Sequence, residues 1–146
     1  MKILIVSSNE DVARCVKLAC EAGLAHGLKL THKVESVHDL ELACGAKSGL
    51  LDSEVVVVKD ALTAMNEIDK EVPRMIFFEV FLVGISGVNF LNELIMDERM
   101  AKTALVLMVD NDMEIAGAEE YGIVRILNLE KMWPQEVVGL VKRYVK

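Results

Sequence analysis

The chain has 146 residues, 53% of them hydrophobic, and carries a formal net charge of −7 at pH 7. A single domain over residues 1–146 accounts for this length. No apolar run reaches the roughly 20 residues that cross a membrane. The run at residues 1–6 has no cleavage-site pattern behind it, so we expect a cytoplasmic protein without a membrane partner. The negative charge argues against nucleic acid as a partner, because phosphate binding requires clustered lysine and arginine.

Five short apolar runs have the length and composition of β-strands. They cover residues 2–6, 55–58, 75–80, 104–109 and 123–127, and residues 28–34 alternate in part and are expected to form a further strand. The run at 55–58 consists of four valines and is expected to be a buried strand. Helical patterns separate most of these runs. Such an alternation predicts a parallel sheet with helices on both faces, which is a three-layer α/β/α domain.

The predicted helices have recognisable ends. Asn9 or Ser8 is expected to cap the first helix, and Gly23 is expected to end it. A glycine-containing turn at residues 84–87 precedes a central helix, and Pro134 begins the last one. The stripes expected to face the core comprise Ala61, Leu62, Ala64, Met65 and Ile68 in the helix opened by Asp60, and Val88, Leu91, Leu94 and Ile95 in the next.

The chain has no pattern that indicates a metal or a cofactor. Its three cysteines, Cys15, Cys20 and Cys44, are odd in number and lack C-x-x-C spacing. A disulfide framework or a zinc site is therefore not expected, and we interpret the cysteines as small buried thiols. The histidines at 26, 32 and 38 match no single helical face and are interpreted as surface residues.

Four segments together resemble a known family. Residues 3–12 read ILIVSSNEDV, residues 75–87 read MIFFEVFLVGISG, residues 104–109 read ALVLMV, and residues 121–123 read YGI. In this order and spacing they resemble the two-component response-regulator receiver (CheY-like) family over residues 1–25 and 53–146. The resemblance implies a flavodoxin-like fold with five parallel strands in the order 2-1-3-4-5. Residues 26–52 then form an insertion, with an extra strand and helix.

The resemblance also implies five functional groups, each with a chemical task. Two acids after the first strand hold Mg²⁺, an aspartate ending the third strand accepts the phosphoryl group, and a hydroxyl and a lysine bind its oxygens. None of the five is present in this chain. The metal-binding acids align with Ser7 and Ser8, the acceptor with Glu79, the hydroxyl with Val109 or Asp110, and the lysine with Asn128 or Leu129.

Glu79 has three interpretations. It is a solvated carboxylate at a strand end, a permanently charged stand-in for the phosphorylated state, or a metal ligand together with Asp110 and Asp112. Ser7 and Ser8 lie where open α/β sheets bind ligands. No glycine-rich fingerprint or P-loop lysine accompanies them, and helix capping by their hydroxyls is the plainer interpretation.

The predicted function is that of a stand-alone receiver-like signalling domain, not an enzyme, which contacts a protein partner and is not phosphorylated. No output domain is expected after Lys146, so the output is expected to lie in a partner. That partner, or a second copy, is expected on the face formed by residues 112–121, 123–127 and 133–145, with Tyr121 and Trp133 as aromatic anchors. The alternative function is a small anion-, nucleotide- or divalent-cation-binding module at the carboxyl ends of the strands.

Overall fold

A computed structural model describes residues 2–24, 54–79, 81–82, 85–109, 122–130 and 134–145. The predicted insertion at 26–52, the acidic turn at 110–112 and the short helix ending at residue 121 lie outside these ranges. Within the described residues, no helix combines the length and the apolar character needed to cross a membrane.

Strands and helices alternate along the described chain. The strands are β1 (Lys2–Val6), β2 (Glu54–Val58), β3 (Met75–Glu79), β4 (Phe81–Leu82), β5 (Ile85–Ser86), β6 (Ala104–Val109) and β7 (Ile123–Asn128). The helices are α1 (Glu10–Leu24), α2 (Ala61–Lys70), α3 (Gly87–Met96) and α4 (Pro134–Tyr144), and a 3₁₀ helix (Glu98–Lys102) follows α3. The predicted bounds of β1 and β6 are confirmed to the residue.

Five of the strands form one parallel sheet in the order β2-β1-β3-β6-β7. Numbered along the sheet's own strands, this is the predicted order 2-1-3-4-5. β1 lies between β2 and β3, and all five of its residues are buried. The expected flavodoxin-like arrangement is therefore confirmed.

Alternation of side chains along the strands divides the core into two layers, because successive residues of a strand point to opposite faces. Ile3, Ile5 and Phe77 pack with α1 and α4 on one face. Leu4 and Phe78 pack with α2 and α3 on the other face. The three-layer α/β/α architecture follows directly from this division.

Two expectations about buried segments were wrong. β2 is the outermost strand of the described sheet, and only Val58 of its four valines is buried, since an outer strand has a neighbour on one side only. Leu62 is 75% exposed and Ile95 is 43% exposed. Each directly follows a buried residue of its helix and therefore lies beside the stripe that faces the sheet. In α2 that stripe is formed by Ala61, Ala64 and Ile68.

The expected turn at 84–87 has more regular structure than its glycines indicate. Ile85–Ser86 pairs antiparallel with Phe81–Leu82, and Gly87 already belongs to α3. Two-residue strands carry almost no periodic signal, so the sequence pattern shows only the glycines that flank them.

Cys20 fits the interpretation of a buried thiol. It is fully buried, and burial raises the pKa of its thiol well above the usual value, so the thiol stays protonated and unreactive. Cys15 is half-buried. Cys44 and the three histidines lie outside the described ranges.

Gly23 is the penultimate residue of α1, which ends at Leu24. A Cβ atom at this position would lie 2.8 Å from Cβ of Val141 and 3.1 Å from the carbonyl oxygen of Val138, both in α4. The glycine therefore allows α1 and α4 to approach closely. The expected helix end is confirmed to within one residue, and the contact with α4 is a second role of the glycine that the sequence pattern did not indicate.

Gly23→Ala is expected to lower the free energy of unfolding by about 1–3 kcal/mol, because the added methyl group overpacks this contact. Gly139→Ala is the matched control, since a Cβ there meets no atom within 4 Å. The control should raise the free energy of unfolding by about 0.5–1 kcal/mol through helix propensity. Urea denaturation of both variants measures these changes, and equal stabilisation by both would contradict the close approach.

Candidate functional site

The carboxyl ends of the parallel strands meet at one edge of the sheet, where open α/β sheets place their ligand sites. β1 and β3 are neighbours, with Val6 opposite Phe78 in the register. The next residue along each strand is Ser7 and Glu79, respectively. Phe78 is anchored by an edge-to-face contact with Phe90 of α3, with ring centroids 5.7 Å apart. The end of β3 is thereby fixed beside the end of β1.

Ser7 is hydrogen-bonded to both strands that neighbour β1. Its backbone N–H donates to the carbonyl oxygen of Val58 at 3.0 Å, which extends the pairing with β2 by one residue. Its side-chain oxygen lies 2.6 Å from Oε1 of Glu79. Only 2% of Ser7 is exposed, so the serine end of this part-buried contact is shielded from water, and the contact connects β1 directly with β3.

The proton of the Ser7 hydroxyl is assigned by its surroundings. Oγ also lies 3.1 Å from the carbonyl oxygen of Asn9 and accepts the N–H of that residue at 3.1 Å. A hydroxyl has one proton to donate, and the carbonyl of Asn9 already accepts from the N–H of Ala13. The carboxylate is the stronger and nearer acceptor. Ser7 therefore donates to Glu79 and accepts from Asn9.

Ser8 makes a second, weaker contact with the same carboxylate. Its Oγ lies 3.4 Å from Oε2 of Glu79 and is exposed to solvent. This distance is at the long limit of a hydrogen bond. Each oxygen of Glu79 thus faces one serine hydroxyl, and the carboxylate is held at the edge rather than freely solvated.

Asn9 caps α1, which decides between the two predicted capping residues. Its Oδ1 accepts the N–H groups of Asp11 and Val12 at 3.0 and 3.2 Å. The interpretation of the Ser7 and Ser8 hydroxyls as helix caps was wrong, because both hydroxyls contact Glu79 instead. Two amides at the start of α1 are consequently satisfied by the protein itself.

The remaining described edge positions carry no charge suited to a phosphoryl group. Val109 ends β6, is buried, and accepts the backbone N–H of Leu129 at 2.8 Å. Asn128 lies opposite Val109 in the register, and its Oδ1 accepts the N–H of Glu130 at 2.9 Å. Leu129 packs partly against the core.

The nearby cation and the acids do not form a metal site among the described residues. Lys59 follows β2 and pairs with Glu10 at 3.3 Å, and both side chains are largely exposed. No group of three or more His, Cys, Asp or Glu residues in the described ranges is placed to hold a metal ion. The proposed ligands Asp110 and Asp112, and the proposed anchors Tyr121 and Trp133, lie outside those ranges.

The link between Ser7 and Glu79 is the feature that sequence reasoning missed. Both positions were recognised, but each was interpreted separately as the loss of an acid. The signal was present in the predicted strand order, because β1 and β3 are neighbours in the order 2-1-3-4-5.

Solved structures of receiver proteins share this fold. The chain is similar to the chemotaxis response regulator CheY4 of Vibrio cholerae, with 14% identity over 99% of this chain and 98% of that chain and a TM-score of 0.68. It is also similar to the receiver domain of the sensor histidine kinase PA1611 from Pseudomonas aeruginosa, which has a magnesium ion in its active site cleft; the identity is 16% over 98% and 95%, and the TM-score is 0.63.

A third similar structure is that of the phosphorylated cyanobacterial phytochrome response regulator RcpA, with 17% identity over 97% of this chain and 89% of that chain and a TM-score of 0.63. No protein-family model matches the chain, and no curated protein sequence matches it. The chain therefore has the flavodoxin-like fold of response-regulator receiver domains. The resemblance to the receiver family is confirmed at the level of the fold.

Ser7→Ala is expected to lower the free energy of unfolding by about 1–3 kcal/mol, because Glu79 and the N–H of Asn9 both lose a buried partner. Ser8→Ala is the matched control. It removes an exposed contact at 3.4 Å and should change the free energy of unfolding by less than about 0.5 kcal/mol. Chemical denaturation of the two variants measures the difference. A Ser7→Ala variant as stable as the unmodified chain would contradict the described contact.

Proposed function

We propose that this chain is a receiver-like signalling module that works without phosphorylation and without Mg²⁺, by docking to a partner protein. It is not an enzyme in this proposal. The observation that carries the proposal is the 2.6 Å contact between Ser7 and Glu79, since it satisfies with protein groups the carboxylate on which receiver chemistry depends.

The loss of metal binding is argued from charge and hydrogen bonding. Mg²⁺ is held by carboxylates, with waters completing its octahedral shell. Ser7 and Ser8 are neutral, and the hydroxyl proton of Ser7 points at the carboxylate of Glu79, where a cation would need a free oxygen. At this edge, hydroxyl donors thus stabilise a carboxylate charge that a metal ion would balance in a metal-dependent site.

The loss of phosphotransfer is argued from geometry. Glutamate is one methylene longer than aspartate, so its oxygens are displaced by about 1 Å or more from the acceptor position, and a displacement of this size can lower a rate about a hundredfold. A nucleophilic oxygen must also be free to attack phosphorus. Val109, Asn128 and Leu129 supply neither the hydroxyl nor the cation that would bind phosphoryl oxygens.

Of the three interpretations of Glu79, the permanently charged stand-in has the most support. A freely solvated carboxylate would not lie against a side chain that is 2% exposed. The charge of Glu79 is instead fixed between the ends of β1 and β3. We therefore propose one constitutive conformation at this edge, in place of a phosphorylation-dependent switch.

The anion- or nucleotide-binding alternative has less support. A helix N-terminus attracts anions through its unsatisfied amides, but Asn9 already binds the amides of Asp11 and Val12. Lys59 is paired with Glu10. The acids Glu10 and Asp11 in the first turn of α1 would in addition repel an anion.

We place the docking surface on the face formed by β7 and α4. Arg125 of β7 and Glu136 of α4 form an exposed ion pair at 3.2 Å, which gives this face a polar contact point. Tyr121 and Trp133 flank these elements in the sequence and remain the proposed aromatic anchors. A protein partner is favoured over nucleic acid because the chain has a net charge of −7, which phosphate groups would repel.

Restoring the acids should restore metal binding in a defined order. We expect Mg²⁺ to leave the melting temperature of the unmodified chain and of Glu79→Asp unchanged, because both lack the acids at positions 7 and 8. The triple variant Ser7→Asp/Ser8→Asp/Glu79→Asp should be less stable alone, through repulsion of its carboxylates. It should gain about 2.7 kcal/mol when Mg²⁺ reaches a hundred times its dissociation constant.

Thermal unfolding at matched ionic strength, with Na⁺ as the control ion, separates binding from screening. Stabilisation of the unmodified chain by Mg²⁺ to the same degree as the triple variant would contradict the proposed loss of the metal site. Should the triple variant not fold, Ser8→Asp/Glu79→Asp keeps the buried Ser7 and provides a partial comparison, with weaker stabilisation by Mg²⁺ because only one of the two missing acids is restored.

A further inference from the structure

β2 presents the backbone groups on one of its sides to a position that no described strand occupies. The carbonyl oxygen of Val58 accepts the N–H of Ser7, so the backbone groups of Val58 face β1. Backbone groups of successive residues in a strand point to opposite sides, so those of Val55 and Val57 point away from β1. A row of outward N–H and C=O groups of this kind is a template for a further strand.

The composition of β2 is that of an interior strand. Between Glu54 and Lys59 it consists of four valines, and it pairs with β1 without a register shift. Outermost strands usually contain lysine, proline or a bulge, which discourage pairing with other chains, whereas continuous β-branched runs are typical of strands with neighbours on both sides. Val55 and Val56 pack partly against opposite core clusters, and Val57 is 38% exposed. Apolar surface therefore continues to the open side of β2.

The chain outside the described residues leaves and re-enters the structure beside β2. Residues 25–53 connect Leu24, the last residue of α1, with Glu54, the first residue of β2. Glu54 lies opposite Lys2 in the register, at the amino end of the sheet. α1 returns from the carboxyl end of β1, so Leu24 also lies at the amino end, in the core cluster against which Val55 packs. Both ends of the connecting segment are thus close to the open side of β2.

The sequence of this segment contains the pattern of an outermost strand. Residues 28–34 read LKLTHKV, in which two leucines and a valine alternate with two lysines and a threonine. Such an alternation is typical of a strand with one buried and one solvated face. Lys29 and Lys33 are charges of the kind that protect the outermost strand of a sheet, and β2 has no such charge within its row of valines.

The lengths of the connections determine the direction of such a strand. Residues 25–27 span at most about 10 Å, which is less than the roughly 17 Å length of a strand of the size of β2. A strand at 28–34 must therefore begin at the amino end and run parallel to β2. A parallel neighbour requires a crossover of about a dozen residues or more, usually a helix. Residues 35–53 exceed that length, and a helical pattern covers about 37–47.

We propose that residues 28–34 form a further strand that pairs in parallel with β2 and covers its open side. β2 then becomes an interior strand, as its composition indicates. This segment is favoured over a second copy or a partner's strand, because the chain itself holds it beside β2 at a high effective concentration. The proposal does not depend on the proposed signalling function.

Amide hydrogen exchange of the full chain, measured residue by residue by NMR, tests the proposal. The amides of Val56 and Val58 face β1 and provide the internal reference. We expect the amides of Val55 and Val57 to exchange within about tenfold of that reference at every protein concentration, because a hydrogen bond must open before exchange. Nuclear Overhauser effects between backbone protons of residues 28–34 and those of β2 should accompany this protection.

Leu30→Pro and Thr31→Pro are a matched pair of variants. Proline has no N–H, and successive N–H groups of a strand point to opposite sides, so only one of the two variants removes a hydrogen bond to β2. That variant should accelerate exchange at Val55 and Val57 about a hundredfold or more. The other places proline on the solvent side, where outermost strands tolerate it, and should change exchange by less than about tenfold. The amides that face β1 should remain slow in both variants.

Three results would overturn the proposal. The first is alternating exchange along β2 in the unmodified chain, with fast exchange at Val55 and Val57, since it would show that this side is open. The second is protection that rises with protein concentration, which would indicate that a second copy occupies the position. The third is protection without Overhauser effects from residues 28–34, which would indicate another segment. Should neither proline variant fold, the Overhauser effects in the unmodified chain decide.

Discussion

The parallel pairing of β1 with β3 is the constraint on which the candidate site depends. In a parallel sheet all strands end at the same edge, so the residues after Val6 and Phe78 must be neighbours. That placement brings the hydroxyl of Ser7 to 2.6 Å from the carboxylate of Glu79. Three further interactions hold this contact in place. The backbone of Ser7 pairs with β2, and its Oγ accepts the N–H of Asn9. The ring of Phe90 packs against Phe78, the residue before Glu79.

This constraint gives the edge of the sheet a different chemistry from that of a metal-dependent site. A cluster of three carboxylates needs a cation, since like charges at short distances repel strongly in a protein interior. A single carboxylate with hydroxyl donors needs none, because its charge is stabilised by hydrogen bonds. Neutral residues at Ser7 and Ser8 thus suit the single acid Glu79 beside them, and the three residues form one hydrogen-bonded set.

The sequence predicted the sheet well because its strands are strongly apolar and their order follows from the family resemblance. It predicted Asn9 as a possible cap and Asp60 as the start of α2, whose side chain accepts from the N–H of Thr63. It failed where distant segments decide the outcome. The role of Gly23 depends on Val141 in the last helix, and the bond between Ser7 and Glu79 spans 72 positions. Local patterns contain neither contact.

The central claim is that the carboxylate of Glu79 is engaged by serine hydroxyls and does not accept phosphate. Intact-mass spectrometry of the chain, after incubation with acetyl phosphate and Mg²⁺, tests it most directly, with a phosphorylatable receiver in the same tube as the control for the donor. The account predicts an unchanged mass for this chain while the control gains a phosphoryl group. A stable adduct of about 80 Da on this chain, located at Glu79, would contradict it.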